Sequence, residues 1–479
     1  MSKTLIKHIS LHFLVITGLI IIICPISASE YITDLKTNTS NIHFPHFLNK
    51  YEVYQQFQVT QLVDRQRSRF DLVSRTDYED LLQAALDNAA EEQGLMGISA
   101  VVKHPIGGTW IGTTGFSHDD VLIDPDMIFG VASITKTFVA ALILLLVEDG
   151  FFQLDDPISD WLPTDEYDNI DASITIRQLL NHTSGLYNFI QSTPTICFPS
   201  PIMDDFEYFW TPEELMGSCV GQPYFEPGTG YAYSNTNFIL AGMIIESATG
   251  SQLHIELRNR IIEPLNLDRT CLGAYEELIE PIAHPWEDVD GDGFLDDLAL
   301  PPWIPWTSLI SAMWAYGGMF STASDISHWT DLLHSGDVLS EESLANMYEL
   351  VPWANYGLGM RHWVSNGYDA YGHTGGNAGT KSITGYVPDE SVTITALINT
   401  NTANQYPIFS DLLEVILNYE WQILGDINED GILDILDVVQ EVQCILGEQT
   451  ENCEYGDVND DGIVNVLDIV IMVNMILDA

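Results

Sequence analysis

Apolar positions along the chain fall into two periods. From Tyr78 to Gln93 they recur at the spacing of one helix face, which predicts a helix. Ile98 to Lys103 and Thr109 to Gly115 are β-rich runs around Gly107-Gly108 and predict a strand pair. Ser133 to Glu148 is apolar almost throughout and predicts a buried helix. Its core, Leu142 to Val147, is too short to span a membrane and ends at Glu148 and Asp149. Near the other end, Ser382 to Val387 and Ser391 to Asn399 predict two strands split by the Pro388-Asp389 turn, and Ile408 to Trp421 predicts a closing helix. Helix, strands, a helical middle, then strands and a helix make an α/β domain whose sheet draws on both ends of the chain.

The flanks differ. Lys3 and Lys7 precede an apolar run from Ile9 to Cys24, followed by Pro25 and small residues to Ser29. That order reads as a secretory signal peptide over 1–29, with an uncleaved anchor as the alternative. The polar stretch 30–75 reads as an extension, 76–422 as the α/β domain and 423–479 as a separate module. Once the signal is cleaved, no segment is left that spans a bilayer, so the product is expected in the periplasm, on the cell surface or in the medium. Export permits disulfides. Cys197 with Cys219 and Cys444 with Cys453 are the plausible local pairs, and Cys271 is left over, Cys24 leaving with the signal.

Charge narrows the function. Sixteen Lys and Arg face 69 Asp and Glu, a net charge of −53. No basic stripe can be assembled to neutralise phosphates, which argues against nucleic acid and against docking on anionic lipid. The surplus acid suits a solvated acidic surface, a salty environment or bound divalent cations.

Two segments starting at Asp426 and Asp457, 31 residues apart, repeat each other. A calcium loop needs oxygens at positions 1, 3, 5, 9 and 12 and a glycine at 6. The first repeat supplies Asp426, Asn428, Asp430, Gly431, Asp434 and Asp437, and the second Asp457, Asn459, Asp461, Gly462, Asn465 and Asp468. Each loop leads into one apolar helix, Ile435 to Leu446 and Val466 to Leu477. With Asp at position 12 and a single following helix, the module resembles dockerins. The resemblance implies structural Ca2+, calcium-dependent folding and a cohesin-type protein partner. The partner-facing positions are apolar here (Ile435, Leu436, Val466, Leu467), where cellulosomal dockerins often carry hydroxyl residues. A third acidic run, Asp288, Asp290, Asp292 and Asp296, reads either as a calcium-clamped loop or as a solvated acidic turn, since its twelfth position is Ala299.

The candidate chemistry sits at the long apolar helix. No Gly-x-Ser-x-Gly elbow, His-Glu-x-x-His or Cys-x-x-Cys pattern occurs. Ser133-Ile134-Thr135-Lys136 opens the helix, and a residue and its i+3 neighbour share a face, so Lys136 can reach the Ser133 hydroxyl. Downstream come Leu179-Leu180-Asn181-His182-Thr183-Ser184-Gly185-Leu186, then Tyr233-Ser234-Asn235, Tyr356 through Arg361, and His373-Thr374-Gly375-Gly376. Ser-x-x-Lys, Tyr-x-Asn and His-Thr-Gly in that order resemble the penicillin-recognising serine hydrolases, the D-alanyl-D-alanine carboxypeptidases and class C β-lactamase relatives, over about residues 76–420.

The resemblance implies an antiparallel sheet covered by helices with a mostly helical subdomain beside it, and an acyl-enzyme at Ser133 needing no cofactor. It implies a peptide or ester substrate. Lys136 or Tyr233 would be the base, with Lys136 and a protonated His373 favouring the Tyr233 anion. Asn235 would position the substrate amide, and the Ser133 and Gly376 N–H groups would form the oxyanion hole. Thr374, beside Gly375, matches a carboxylate-holding position, and Arg361 matches it more loosely. His373 stands where β-lactamases usually carry Lys, which favours the carboxypeptidase branch over β-lactamase. An esterase on the same scaffold and a silent calcium-dependent binding protein are the rival readings. His182 reads as structural.

Overall fold

The computed structural model describes residues 77–190, 205, 207–299, 307–419, 425–428, 433–447, 452–459 and 461–478. The expected signal peptide, the extension to 75, Cys197 and Asp430 lie outside them. The described residues fall into two compact units, one within 69–422 and one within 423–479.

In the larger unit, helix α1 (77–93) leads into strands β1 (Gly97–His104), β2 (Gly108–His118) and β3 (Val121–Leu122). The helical middle includes α2 (Thr135–Glu148), α3 (Thr236–Thr249), α4 (Thr307–Gly317) and α5 (Ala323–Ser335). Strands β4 (Arg361–Ser365), β5 (Tyr368–Asn377), β6 (Thr380–Val387) and β7 (Val392–Ile398) follow, closed by α6 (Gln405–Asn418). The seven strands form one antiparallel sheet in the order β3-β2-β1-β7-β6-β5-β4. The two ends of the domain meet where β1 pairs with β7, Ile98 opposite Ile398 and Val102 opposite Ile394.

Strand alternation sorts the side chains into two cores. Ile98, Ala100 and Val102 bury against Tyr78, Leu82 and Leu86 of α1 and Ile408, Phe409 and Leu412 of α6. Val101 and Leu397 point the other way, into the larger core shared with α2, α3 and α5. Helix α2 is apolar on every side and accordingly buried from Thr135 to Leu144.

Two boundaries differ from the sequence expectation. The closing helix is Gln405–Asn418 rather than 408–421, because the Asn404 side chain caps it by accepting from the Tyr406 N–H. Ser133 lies outside α2, in a 3₁₀ turn over Ala132–Ile134. Ala132 just before it has φ +48°, a left-handed conformation that costs a non-glycine residue about 1–3 kcal/mol. Surrounding bonds hold the turn. Val131 N–H donates to Met319 O at 3.0 Å, Ser382 Oγ to Val131 O at 2.9 Å, Thr380 Oγ1 to Gly130 O at 3.1 Å and Thr135 Oγ1 to Ala132 O at 2.7 Å.

Strand β5 presses directly on this turn. A Cβ on Gly375 would run into the Val131 carbonyl oxygen and Ser382 Oγ, with Ala132 Cβ only 3.1 Å away. Gly375→Ala is therefore expected to destabilise the domain by about 1–3 kcal/mol. Gly217→Ala, on a helix with open space around it, should be neutral or mildly stabilising. Calorimetric melts of the two variants check this; equal melting temperatures would contradict it.

In the smaller unit, α7 (Ile435–Leu446) and α8 (Val466–Asp478) share a core of Ile427, Val438, Val458, Ile469, Ile471 and Met472. Cys444 is disulfide-bonded to Cys453. In the larger unit Cys219 is disulfide-bonded as well, and Cys271 is free and buried.

Candidate functional site

Ser133 is the half-buried member of its turn, and Lys136, one helical turn on, is fully buried. Lys136 Nζ lies 3.0 Å from Ser133 Oγ and 2.6 Å from the Tyr316 carbonyl oxygen. The same Nζ stands 5.1 Å from the Tyr233 ring centroid, 5.4 Å from Phe238 and 5.1 Å from Tyr316. No acidic side chain pairs with it among the described residues. Burial, and then the Arg361 guanidinium, hold the Lys136 amine well below its ordinary range, which favours the uncharged amine. The Tyr316 carbonyl reaches it because α4 kinks at Trp314, where φ is +32°.

Tyr233 and Asn235 arrive on the segment that enters α3. Burial pushes the Tyr233 phenol up to about 12, while Arg361 and the Ser133 hydrogen bond pull it down. Tyr233 is thus a neutral phenol at pH 7, held next to both Ser133 and Arg361. Asn235 is 4% exposed, its N–H donates to Asn188 Oδ1 at 3.2 Å, and its own Oδ1 has no partner among the described residues.

His373 is not the cation expected from sequence. It is fully buried, with Nδ1 2.6 Å from Thr374 O and Nε2 2.9 Å from the Tyr356 hydroxyl. A carbonyl only accepts, so Nδ1 carries the proton and Nε2 accepts from Tyr356. Burial, Arg361 and Lys136 hold the imidazole well below its usual range, hence uncharged. The cation beside Tyr233 is Arg361 instead, its guanidinium 4.9 Å from the Tyr233 ring and 5.7 Å from that of Tyr356. Arg361 makes no ion pair among the described residues, and its Nε is buried without a partner.

Sheet geometry brings Arg361 to this place. Strand β4 begins at Arg361 opposite Gly372, so the pairing that covers β5 reaches no further than Gly372. Residues 373–377 keep an outer edge to which no described strand is paired. Thr374 is half-buried and Gly376 exposed on that stretch, while His373 and Gly375 are buried.

Two contributors were given no role by the sequence. One is the Tyr316 carbonyl. The other is Tyr356, whose hydroxyl holds His373 and whose ring lies 4.7 Å from that of His182 and 5.9 Å from that of Tyr233. His182 is more than a spacer. Its Nδ1 accepts from Asn237 Nδ2 at 2.9 Å and Ser234 N at 3.3 Å, and its ring lies 4.3 Å from that of Tyr233. The density of aromatic residues in the 231–233 and 356 segments was the available hint.

In the smaller unit the loop residues fit calcium. Every named side-chain donor is oxygen, as a hard cation requires. Gly462 has φ +80°. Asp437 and Asp468 are fully buried. Asp437 accepts from the N–H groups of Ile427, Asn428 and Asp434, and Asp468 from those of Asn459 and Asn465. Asp457 accepts from Asp461 and Gly462. Residues 423–479 contain no Lys, Arg or His, so no side chain of the module itself can neutralise these carboxylates. In the larger unit Asp288, Asp290 and Asp296 converge within 4.8 Å, and Asp292 is not part of that group.

A serine with a neutral lysine one turn on, a tyrosine between it and an arginine, and a glycine-rich strand edge define a serine acyl hydrolase. The chain belongs to the Beta-lactamase family, whose model matches residues 82–415. Residues 424–477 match the dockerin type I domain. The chain is similar to penicillin-binding protein 4* of Bacillus subtilis (strain 168), 27% identical over 334 residues, spanning 64% of this chain and 70% of that protein. It is also similar to esterase EstB of Burkholderia gladioli, 32% identical over 215 residues, spanning 43% of this chain and 54% of that one. Among solved structures it resembles a D-stereospecific amidohydrolase from Streptomyces sp. with a TM-score of 0.61 and 31% identity, over 69% of this chain and 97% of that one. It likewise resembles a D-amino acid amidase from Ochrobactrum anthropi SV3 with a TM-score of 0.61 and 28% identity, over 72% and 100%. No helix among the described residues is long and apolar enough to cross a membrane.

Arg361 has a signed consequence. Burial and then its charge lower the Lys136 amine; with Lys136 as the base, activity is expected to fall as pH drops through that lowered value. Arg361→Ala removes that charge and is expected to move the acid limb of kcat/KM to higher pH. An unmoved limb in the variant would contradict the coupling.

Proposed function

We propose that the chain is an exported serine peptidase of the D-alanyl-D-alanine carboxypeptidase type, tethered through calcium-dependent binding to a cohesin-type partner. The observation that carries the substrate class is the half-buried Arg361 guanidinium, set beside Tyr233 with no acidic partner among the described residues. A substrate's terminal carboxylate would supply that partner, taken by the guanidinium fork and the Thr374 hydroxyl. Similarity to proteins named as acting on D-amino acid amides supports a D-configured residue at that end.

In this reading the neutral Lys136 amine takes the Ser133 proton as Oγ attacks the carbonyl. The Ser133 and Gly376 N–H groups hold the oxyanion, each such donor being worth about 10²–10³ in rate. Asn235 Oδ1 accepts a substrate amide N–H. The Tyr233 phenol gives its proton to the leaving amine and recovers one from the Lys136 ammonium. Water then attacks the acyl-enzyme, loses its proton to Lys136, and Ser133 departs reprotonated. The similarity to EstB supports a second reading, ester cleavage by the same three groups.

Labelling with fluorescent penicillin, followed by gel and intact mass, separates these, run beside D-Ala-D-Ala peptide and p-nitrophenyl ester hydrolysis. A long-lived adduct on wild type, absent in Ser133→Ala, together with peptide cleavage reduced about 10³-fold or more in the variant, is expected. Rapid turnover of the adduct would mean a β-lactamase. Ester turnover without an adduct would mean the esterase. No acylation by any of these substrates would remove the proposal.

A further inference from the structure

The two C-terminal repeats align residue for residue at an offset of 31: Asp426 with Asp457, Asp437 with Asp468, Val438 with Ile469. The same offset sets Glu441 against Met472. Met472 is fully buried in the core of the unit, as its chemistry suits. Glu441 is also fully buried, and neither carboxyl oxygen has a hydrogen-bond partner among the described residues. A buried carboxyl left unpaired is among the costliest groups a small core can hold.

The side chain does not point into its own repeat's loop. It packs on the second one: a Cβ on Gly456 would run into Glu441 Oε2, and Gly456 immediately precedes Asp457, the first oxygen position of that loop. The charged groups acting on it are Asp468 and Asp457, the last and first positions of the same loop. Three carboxyls therefore meet in a module with no Lys, Arg or His. A bound cation is the compensating charge this chemistry leaves open.

We infer that Glu441 is an additional carboxylate of the second calcium site, delivered from the helix of the first repeat. The two sites then differ in kind. The second carries one more negative charge than its loop alone provides, which strengthens cation binding. Its binding also requires α7 to be folded, so the first repeat conditions the second.

Calorimetric titration of the full chain with CaCl2, after chelation, tests this in wild type, Glu441→Gln and Glu441→Met, the last being the residue that the second repeat carries. Each variant is repeated in an Asp468→Ala background that disables the second loop. Weakening of one site by about tenfold or more in both variants is expected, with no further effect in the Asp468→Ala background. Glu441→Met should also melt higher than wild type without calcium and gain less from it. Unchanged affinity in both folded variants would overturn the inference, since Glu441 would then be a buried neutral acid. Weakening that persists in the Asp468→Ala background would equally overturn it.

Discussion

A lysine amine can take a proton from serine only in its neutral, lone-pair-bearing form, and the surroundings of Lys136 favour that form. Lys136 is buried, faces a carbonyl oxygen and three aromatic rings, has no acidic partner among the described residues, and lies near the fixed charge of Arg361. Burial, and then the Arg361 charge, disfavour the ammonium, against the carbonyl oxygen and ring faces that favour it. A nearby carboxylate would reverse the balance, because an opposite charge within a few ångströms favours the charged form. The chain has 69 acidic residues, yet none among the described residues pairs with Lys136, so burial and Arg361 act on the amine unopposed by a carboxylate.

The scaffold follows from positioning that amine and its serine. Strands from both ends of the domain build the sheet, and the β5–β6 hairpin is fastened to the turn over 130–132 by two hydroxyl hydrogen bonds. That fastening sustains the left-handed Ala132 and so the outward placement of Ser133. The start of β4 at Arg361 leaves β5 with an open edge and puts Arg361 beside Tyr233.

What the sequence made legible was local. Ser133 and Lys136 are three apart on one face, the calcium loops carry oxygens at fixed offsets, and the strand runs alternate. Spacing alone pointed to these, a sheet built from both chain ends followed from their order, and its antiparallel pairing was what the resemblance implied. The rest depends on contacts between residues 180 positions apart, such as Lys136 with the Tyr316 carbonyl. A backbone oxygen has no residue type to betray it, and the Trp314 kink that presents it sits inside an ordinary helical pattern. His373 was read as a cation from its motif position, but its protonation is decided by burial and by the nearby Arg361 charge, neither visible in a motif. Glu441 was equally hidden. Its meaning appears only when its burial is set beside that of Met472.

The neutral amine is the claim from which the rest follows, and it can be observed without substrate. Selective 13C labelling of lysine Cε, with the Lys136 resonance assigned by its loss in Lys136→Met, gives its titration directly among the chain's seven lysines. The account predicts a Cε shift of the uncharged amine at neutral pH, with a midpoint well below the ordinary lysine value and an upward move in Arg361→Ala. A Lys136 signal that stays that of an ammonium up to the ordinary lysine range would contradict it.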